Sequence, residues 1–589
     1  MDYFRSKGCV TQIVRPFMQV QAFTPNRKAA DRTASAVSFV MLALILFVIL
    51  YAFTFPDTSG DTIVYVNEIL NYGQGGGAKP ALIWEFGHLL WRPLGYFLWQ
   101  LTQPLTASWF QGNPVLEVEI VLAAMNFVGG AVLIVAVFAI TRRLGLTRTL
   151  ALTVSLGVLI SNALLNYVHS GTPYVPGLAL HMLGIWCILK ALQENQQRML
   201  WSALAGVALA LACDLWFLYI LGLPAAWLSE YLFPAKNLAS RERVRLVAVT
   251  VASTAAVGLL AYLIGISLCH ISSTSQLQTW ISSSGHGMRA DRPWLRFPTG
   301  ISRTFLYIGE GGLALKQLVF RDPYATSRWS ALIGSGIWKI ALVFVTLGGL
   351  VWYMGRIRNG RPVLALLVAA AVPTFAFAFF FETSSSERYL PLYAALIAAV
   401  CVVLGQRSGT RVPRWLLGIF FGVMLVLNLK MYAFDIRALR NQSSDRAILV
   451  HEHTRGNGVA IIMSFNDPLS RYFSRRPFDP ANQQNGLPLY HVFDFAALGS
   501  TSWSGGASCR ALRAWRQGGE VWLSKRFLAP HPQLEWGWVE GDYRNLQWTE
   551  VRQFFGQFDV DSDLGGPDGF ERIAKTEKNR AALESACAE

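Results

Sequence analysis

Between residues 36 and 434 the chain is a succession of apolar runs, and these constrain the fold more than any other feature. The runs 36–55, 115–140, 149–168, 174–192, 199–213, 215–233, 245–268, 330–354, 362–381, 388–405 and 414–434 are each read as one crossing of a hydrocarbon layer about 30 Å thick. With 53% hydrophobic and 15% charged residues over 589 positions, a soluble globular protein is excluded and a polytopic α-helical membrane protein of about eleven spans is expected. The net charge of +15 could point to nucleic acid, yet its cations concentrate in connectors: Arg142, Arg143 and Arg148; Lys190 and Arg198; Lys236, Arg241, Arg243 and Arg245; Arg356, Arg358 and Arg361; Arg407, Arg411 and Arg414. Splitting 199–233 at Cys213–Asp214 puts all of them on the side of the N-terminus, whereas a single span there would scatter them over both faces. The positive-inside bias therefore predicts a cytoplasmic segment 1–35, a membrane domain 36–434 and no nucleic-acid partner. No cleavable signal is read at the start, because residues 1–35 are polar and basic and the apolar run that follows has spanning length.

Four polar stretches then fall on the opposite, extracytoplasmic side. The first, 56–114, carries Asp57 and Asp61 where the chain leaves the membrane, then His88 and Arg92 in a Trp-rich run. Its portions 61–72 and 83–103 are amphipathic and read as helices lying in the interface, separated at Gly75–Gly77, with Trp84, Trp91 and Trp99 as anchors. The second is the loop 269–329, with His270, His286, Arg289, Asp291, Arg292, Arg296 and Arg303, and the third is the turn 382–393 around Glu387, Arg388 and Tyr389. The last, 435–589, has domain size and alternates short strands (458–465, 489–495, 520–523) with helices (468–473, 508–516), which predicts an extracytoplasmic α/β domain. Residues after Asp559 read as a frayed tail. Cys509 and Cys587 are the two cysteines of this region, and a disulfide between them is compatible with the sequence without being required by it.

Acidic groups held at a bilayer surface beside basic ones read as a site before they read as a loop. Three stretches, PDTSGDTIVYVNEIL in the first loop, GHLLWRPLGY after it and SERYLPLYAAL entering a late helix, resemble the GT-C superfamily of polyprenyl-phosphate-sugar glycosyltransferases, which includes protein O-mannosyltransferases and aminoarabinose transferases. The spacing of His and Pro in GHLLWRPLGY is wider than in that family. The resemblance implies a donor that is a sugar on a polyprenyl phosphate, and an acceptor hydroxyl on a lipid, glycan or protein. It also implies inversion at the sugar and a bacterial plasma membrane with the C-terminal domain in the periplasm.

Such a transfer needs a carboxylate to take the acceptor proton and fixed positive charge for the departing phosphate. The base is Asp61, or failing that Asp57; a plain N-cap is the other reading of Asp61. Arg388, His88 and Arg92 are the candidate phosphate partners, with Tyr389 beside them. His169, Asp214, Glu387, Arg289 and Arg292 are candidates for sugar or acceptor contacts. For most of these a structural role stands beside the functional one: an ion pair of Arg388 with Glu387, a polar stripe for His88 and Arg92, a turn cap for Asp214. No metal ligands are assigned; a divalent metal is compatible, but no Asp-x-Asp pair in the loop asks for one. Two other readings stay open: a polymerase or ligase of glycan chains with its chemistry on 269–329, and a transporter of lipid-linked sugars or non-catalytic subunit of a polysaccharide synthase. Against the transporter, the spans carry few ionisable residues between their ends.

Overall fold

A computed structural model describes residues 29–55, 60–73, 80–110, 114–194, 196–233, 238–283, 293–308, 336–357, 360–381, 383, 385–405, 411–437, 458–462, 483–484, 487–488, 492–494, 503–530, 547–564 and 569–588. Among them, eight helices are long and apolar enough to span a bilayer, from Pro114–Arg143 to Val412–Asp435. Three shorter apolar helices, Val37–Phe53, Arg148–Leu159 and Phe217–Leu232, fill the places of the remaining apolar runs. The chain is a multi-pass membrane protein. The stretch 198–232 is broken where Trp216 turns extended (φ −152°, ψ 108°), two residues past Asp214, and Ser202 Oγ donates to Glu230 Oε1 at 2.6 Å. That bond joins the start of the first limb to the end of the second, so the two run as a hairpin.

A second break answers a polar request in the core. The run 149–168 is interrupted after Ile160, and helix Asn162–Tyr167 restarts the chain. Asn428, fully buried on helix Arg411–Lys430, donates to Ile160 O and to Phe305 O, both at 2.8 Å, and accepts from Tyr307 N at 2.8 Å. Backbone groups freed inside an apolar bundle are thus re-paired by one amide side chain.

The first loop is packed more deeply than its amphipathic pattern implies. Helix Gly60–Gly73 sets Tyr65, Val66, Ile69 and Leu70 against Trp91, Trp99, Val118 and Leu122 in a small core of its own. The interfacial helix expected at 83–103 is broken into Pro80–Ile83, a 3-10 turn Phe86–His88 and helix Trp91–Thr106. Trp91 and Trp99, expected as lipid anchors, are buried: their indole nitrogens donate to Gly171 O at 2.8 Å and to Glu117 Oε2 at 3.0 Å. The outer face of the last helix keeps the amphipathic character, since Phe97, Leu101 and Leu105 are exposed while Arg92 and Gly95 face inward.

Among its described residues the C-terminal region holds seven short strands: β1 Val459–Ile462, β2 Gln483–Gln484, β3 Leu487–Pro488, β4 Val492–Asp494, β5 Val521–Ser524, β6 Val560–Leu564 and β7 Phe570–Ile573. Five form a sheet of order β4-β1-β5-β7-β6, parallel on one side of β5 and antiparallel on the other. The parallel half follows from its connection, because helix Trp503–Arg516 carries the chain from β4 back over the sheet to β5. The expectation of a frayed tail after Asp559 is overturned: β6, β7 and helix Glu577–Ala588 lie there, and Leu583 and Ala586 are buried. Cys509 and Cys587, with Cα atoms 5.0 Å apart, are disulfide-bonded and tie this last helix to Trp503–Arg516. The expected helix 468–473 lies outside the described residues.

Candidate functional site

Asp61 stands in the first turn of helix Gly60–Gly73, where a carboxylate suits the helix dipole. Its neighbour Thr62 is buried and accepts from Gly171 N at 2.8 Å, so the helix start is locked to the turn 169–173 between two membrane helices. Gly171 allows this approach: a Cβ there would lie 2.7 Å from Thr62 Cγ2 and 3.0 Å from Leu122 Cβ. Asn126 Nδ2 holds the same turn through Thr172 O at 2.7 Å. Just past the turn, Tyr174 Oη donates to Asp61 Oδ2 at 2.6 Å. Asp61 itself is exposed, and its Oδ1 has no hydrogen-bond partner among the described residues.

Behind Asp61 lies a buried ionic group. Arg92, 1% exposed, pairs through Nε with Glu68 Oε2 at 2.8 Å and through Nη2 with Glu85 Oε2 at 2.7 Å. The same Glu85 oxygen meets His88 Nδ1 at 2.9 Å, and His88 Nε2 lies 3.2 Å from Tyr65 Oη. Arg92 stacks over the Tyr65 ring at 4.9 Å. Burial, and after it the charge of Asp61, push the Tyr65 phenol well above its ordinary range, so it serves as a neutral hydroxyl. Both expected phosphate partners of the first loop therefore sit inside the protein and engage its own carboxylates.

The late segment joins from the other side. Residues Ser386–Leu392 form a 3-10 turn at the head of helix Tyr393–Gly405. Glu387 is buried and accepts from Tyr167 Oη, and Arg388 Nε lies 3.8 Å from Glu387 Oε1 with its guanidinium 6.0 Å above the Phe377 ring. Tyr167 and Tyr174 meet edge to face, ring centroids 4.9 Å apart. Asp61 and the Glu387–Arg388 turn, from opposite ends of the membrane domain, are thus bridged by two tyrosines. Tyr389 points away from this junction, donating to Thr383 O at 2.7 Å beneath Gly300.

His169 stacks on Tyr51 at 4.4 Å and its Nε2 lies 2.7 Å from Thr54 Oγ1. Since the Thr54 hydroxyl donates to Leu50 O at 2.7 Å, Nε2 carries the proton in this pair. Asp214 is fully buried with neither carboxyl oxygen hydrogen-bonded among the described residues, while its carbonyl accepts from Leu90 N at 3.0 Å and pins the 85–91 turn to the hairpin. Asp57, His286, Arg289 and Arg292 lie outside the described residues. No group of three or more His, Cys, Asp or Glu that could hold a metal occurs among the described residues.

No protein-family model matches the sequence, and no curated protein matches it. Its structural neighbours include ArnT and AglB. ArnT from Cupriavidus metallidurans, solved bound to undecaprenyl phosphate, is 12% identical with a TM-score of 0.46 over 93% of this chain and 99% of that one. The archaeal oligosaccharyltransferase AglB from Archaeoglobus fulgidus, solved with an inhibitory peptide and a dolichol-phosphate, is 12% identical with a TM-score of 0.46 over 93% of this chain and 75% of that one. The A. fulgidus oligosaccharyltransferase was also solved with Zn and sulfate, and that structure is 13% identical, with a TM-score of 0.42 over 91% of this chain and 73% of that one. What the present chain does is read below from its own residues.

Sequence reasoning singled out Asp61, His88 and Arg92 but missed Tyr65, Glu68, Glu85, Tyr167 and Tyr174. A signal for three of them was present. Asp61, Tyr65 and Glu68 stand at helical spacings of four and three, and Glu85, His88 and Arg92 at three and four, so each segment carries a polar stripe inside an apolar helix pattern. For the two tyrosines of the 167–174 turn no spacing rule connects them to the first loop.

Proposed function

We propose that the chain is a membrane glycosyltransferase that moves a sugar from a polyprenyl phosphate to an acceptor hydroxyl on the extracytoplasmic side. The observation that carries this reading is the bridge Asp61–Tyr174–Tyr167–Glu387, which sets an exposed carboxylate and the Arg388 turn at one end of the bundle. The resemblance of the first-loop and late-helix motifs to the GT-C superfamily agrees with it. Asp61 Oδ1 accepts the acceptor proton as the hydroxyl oxygen bonds to the anomeric carbon, and the bond from that carbon to the phosphate oxygen breaks, its electron pair leaving on the polyprenyl phosphate. Arg388, always charged, steadies the anion. A single displacement of this kind inverts the anomeric carbon.

His88 and Arg92 enter as supports of the loop that carries Asp61 and not as phosphate ligands, since both are turned to Glu85. The cytoplasmic N-terminus is supported by the basic connectors, a bacterial plasma membrane by the resemblance to the GT-C superfamily, and the Cys509–Cys587 disulfide agrees with an oxidising compartment for the C-terminal domain.

The test is transfer from a panel of synthetic polyprenyl-phosphate hexoses and pentoses by the full chain in nanodiscs, with the thermal unfolding midpoint as the control for folding and undecaprenyl phosphate binding measured alongside. Asp61→Asn is expected to lower kcat by about 10²-fold or more while binding persists. Arg388→Ala is expected to weaken undecaprenyl phosphate binding, which Arg388→Lys recovers in part. Wild-type turnover in Asp61→Asn would remove the base. Chelation and re-addition of Mg²⁺ or Mn²⁺ in the same assay reads whether the donor brings a divalent ion with it.

A further inference from the structure

Asp61 faces water from the first turn of its helix, and a carboxylate in that place has a simple structural use. The first amide groups of a helix lack partners within it, and an acidic side chain there ordinarily folds back onto them or turns freely in solvent. In this chain a phenol takes hold of it from outside the helix: Tyr174 is buried, and its Oη donates to Asp61 Oδ2 at 2.6 Å. We propose that Tyr174 is the positioning residue of the base, a donor that fixes one carboxylate oxygen and so leaves the other, Oδ1, set for the acceptor hydroxyl. The inference rests on Asp61 being the base.

The phenol is held on every side that could let it swing. Tyr174 opens helix Tyr174–Gln193 directly after the 169–173 turn that is locked to Thr62. Its carbonyl accepts from Tyr219 Oη at 2.6 Å, and its ring meets that of Trp216 at 4.6 Å and that of Tyr167 at 4.9 Å between centroids. Trp216 and Tyr219 both come from the break in the hairpin 198–232, so that break supplies the backing of the residue that grips Asp61. Tyr219 reaches its place because residue 177, one turn past Tyr174, is glycine: a Cβ there would lie 2.4 Å from Tyr219 Cε2.

The consequence is one of direction. A carboxylate on a single flexible bond presents either oxygen at many angles, whereas the acceptor hydroxyl must be met by one oxygen while it is in line with the anomeric carbon. A donor fixed by its neighbours removes that freedom before the substrate arrives, and a displacement of about 1 Å in such a group costs on the order of 10²-fold in rate. Tyr174 keeps its own proton throughout. When Oδ1 has taken the acceptor proton, Oδ2 of the neutral acid still accepts from the phenol, so the grip holds over the whole step. Asp61 then returns its proton to the water it faces.

Tyr174→Phe keeps the ring against Trp216 and Tyr167 and deletes the hydroxyl alone. In the transfer assay it is expected to lower kcat about 10- to 100-fold, with a donor KM within about twofold of wild type and an unchanged unfolding midpoint and undecaprenyl phosphate binding. Because Tyr174 acts only through Asp61, the same change made in Asp61→Asn is expected to slow that variant by less than about twofold, whereas a general loosening of the bundle would slow both backgrounds alike. Should Tyr174→Phe not fold, Tyr219→Phe takes its place: it frees the Tyr174 carbonyl and is expected to cost about 3- to 10-fold in kcat, again only where Asp61 is present. Wild-type kcat in Tyr174→Phe would overturn the proposal, as would an equal loss in both backgrounds or a raised KM at unchanged kcat. The two claims separate cleanly: a slow Asp61→Asn beside a Tyr174→Phe that turns over as wild type leaves the base standing without its positioning residue, and a fully active Asp61→Asn removes both.

Discussion

Gly171 does more for Asp61 than any residue on the helix that bears it. Its missing side chain lets the 169–173 turn touch Thr62 backbone to hydroxyl, and Tyr174, three residues on, reaches the carboxylate from the same turn. Gly171→Ala places a methyl within 2.7 Å of Thr62 Cγ2 and 3.0 Å of Leu122 Cβ. The expected result is a loss of about 1–3 kcal/mol of stability, read by thermal denaturation, with transfer falling more than stability accounts for because the helix start moves. At this scale the sequence was partly readable. Asp61 stood out because acids at a membrane exit are costly, and Arg388 because a guanidinium heads a span; the tyrosines between them carry no charge and match the aromatic belt that any such protein has. His88 and Arg92 were visible as a basic pair, but their pairing with Glu85 and Glu68 was hidden, since an ion pair is a matter of which way two faces turn.

At the level of elements, the breaks matter more than the helices. Trp216, Ile160 and the 3-10 turn at Ser386–Leu392 each end or delay a helix near the place where a site residue is needed. Asn428 makes one of these breaks affordable, and Asn428→Ala strands Ile160 O, Phe305 O and Tyr307 N in an apolar setting. A destabilisation of about 3 kcal/mol is expected, measurable as a lower unfolding midpoint in detergent, whereas Asn428→Asp should recover only the bond from Tyr307 N. The run 149–168 reads as a single span because hydropathy reports composition, and a polar residue nearly three hundred positions later that rewards a kink leaves no trace in the run itself. The split of 199–233, by contrast, was legible: charge on the connectors fixes an odd or even number of crossings regardless of where the turn falls.

On the scale of the whole molecule, the membrane helices gather the first loop, the 169–173 turn and the 386–392 turn at one end, and the chain continues from the last span into the α/β domain. Two strands of that domain were visible in sequence as short apolar runs just after glycine, at 459–462 and 521–524. The tail was not, because β6, at the sheet edge, has the polar run Asp561, Ser562 and Asp563 in its middle and reads as loop. The disulfide gives this scale its prediction. Cys587→Ser frees helix Glu577–Ala588 from Trp503–Arg516 and is expected to cost about 2–5 kcal/mol in the C-terminal domain, seen as faster proteolysis there with the membrane helices intact.

Helix Trp91–Thr106 has two faces that answer to different solvents. One holds Arg92 in a dry socket; the other offers Phe97, Leu101 and Leu105 to acyl chains. With the proposed orientation, lateral pressure in the outer leaflet is expected to reach the guanidinium through this helix, and from it Glu68 and Glu85, of which Glu85 also holds His88. On the proposed function, a bilayer of different thickness or packing is expected to shift that helix, so that the rate of transfer varies with the surrounding lipid.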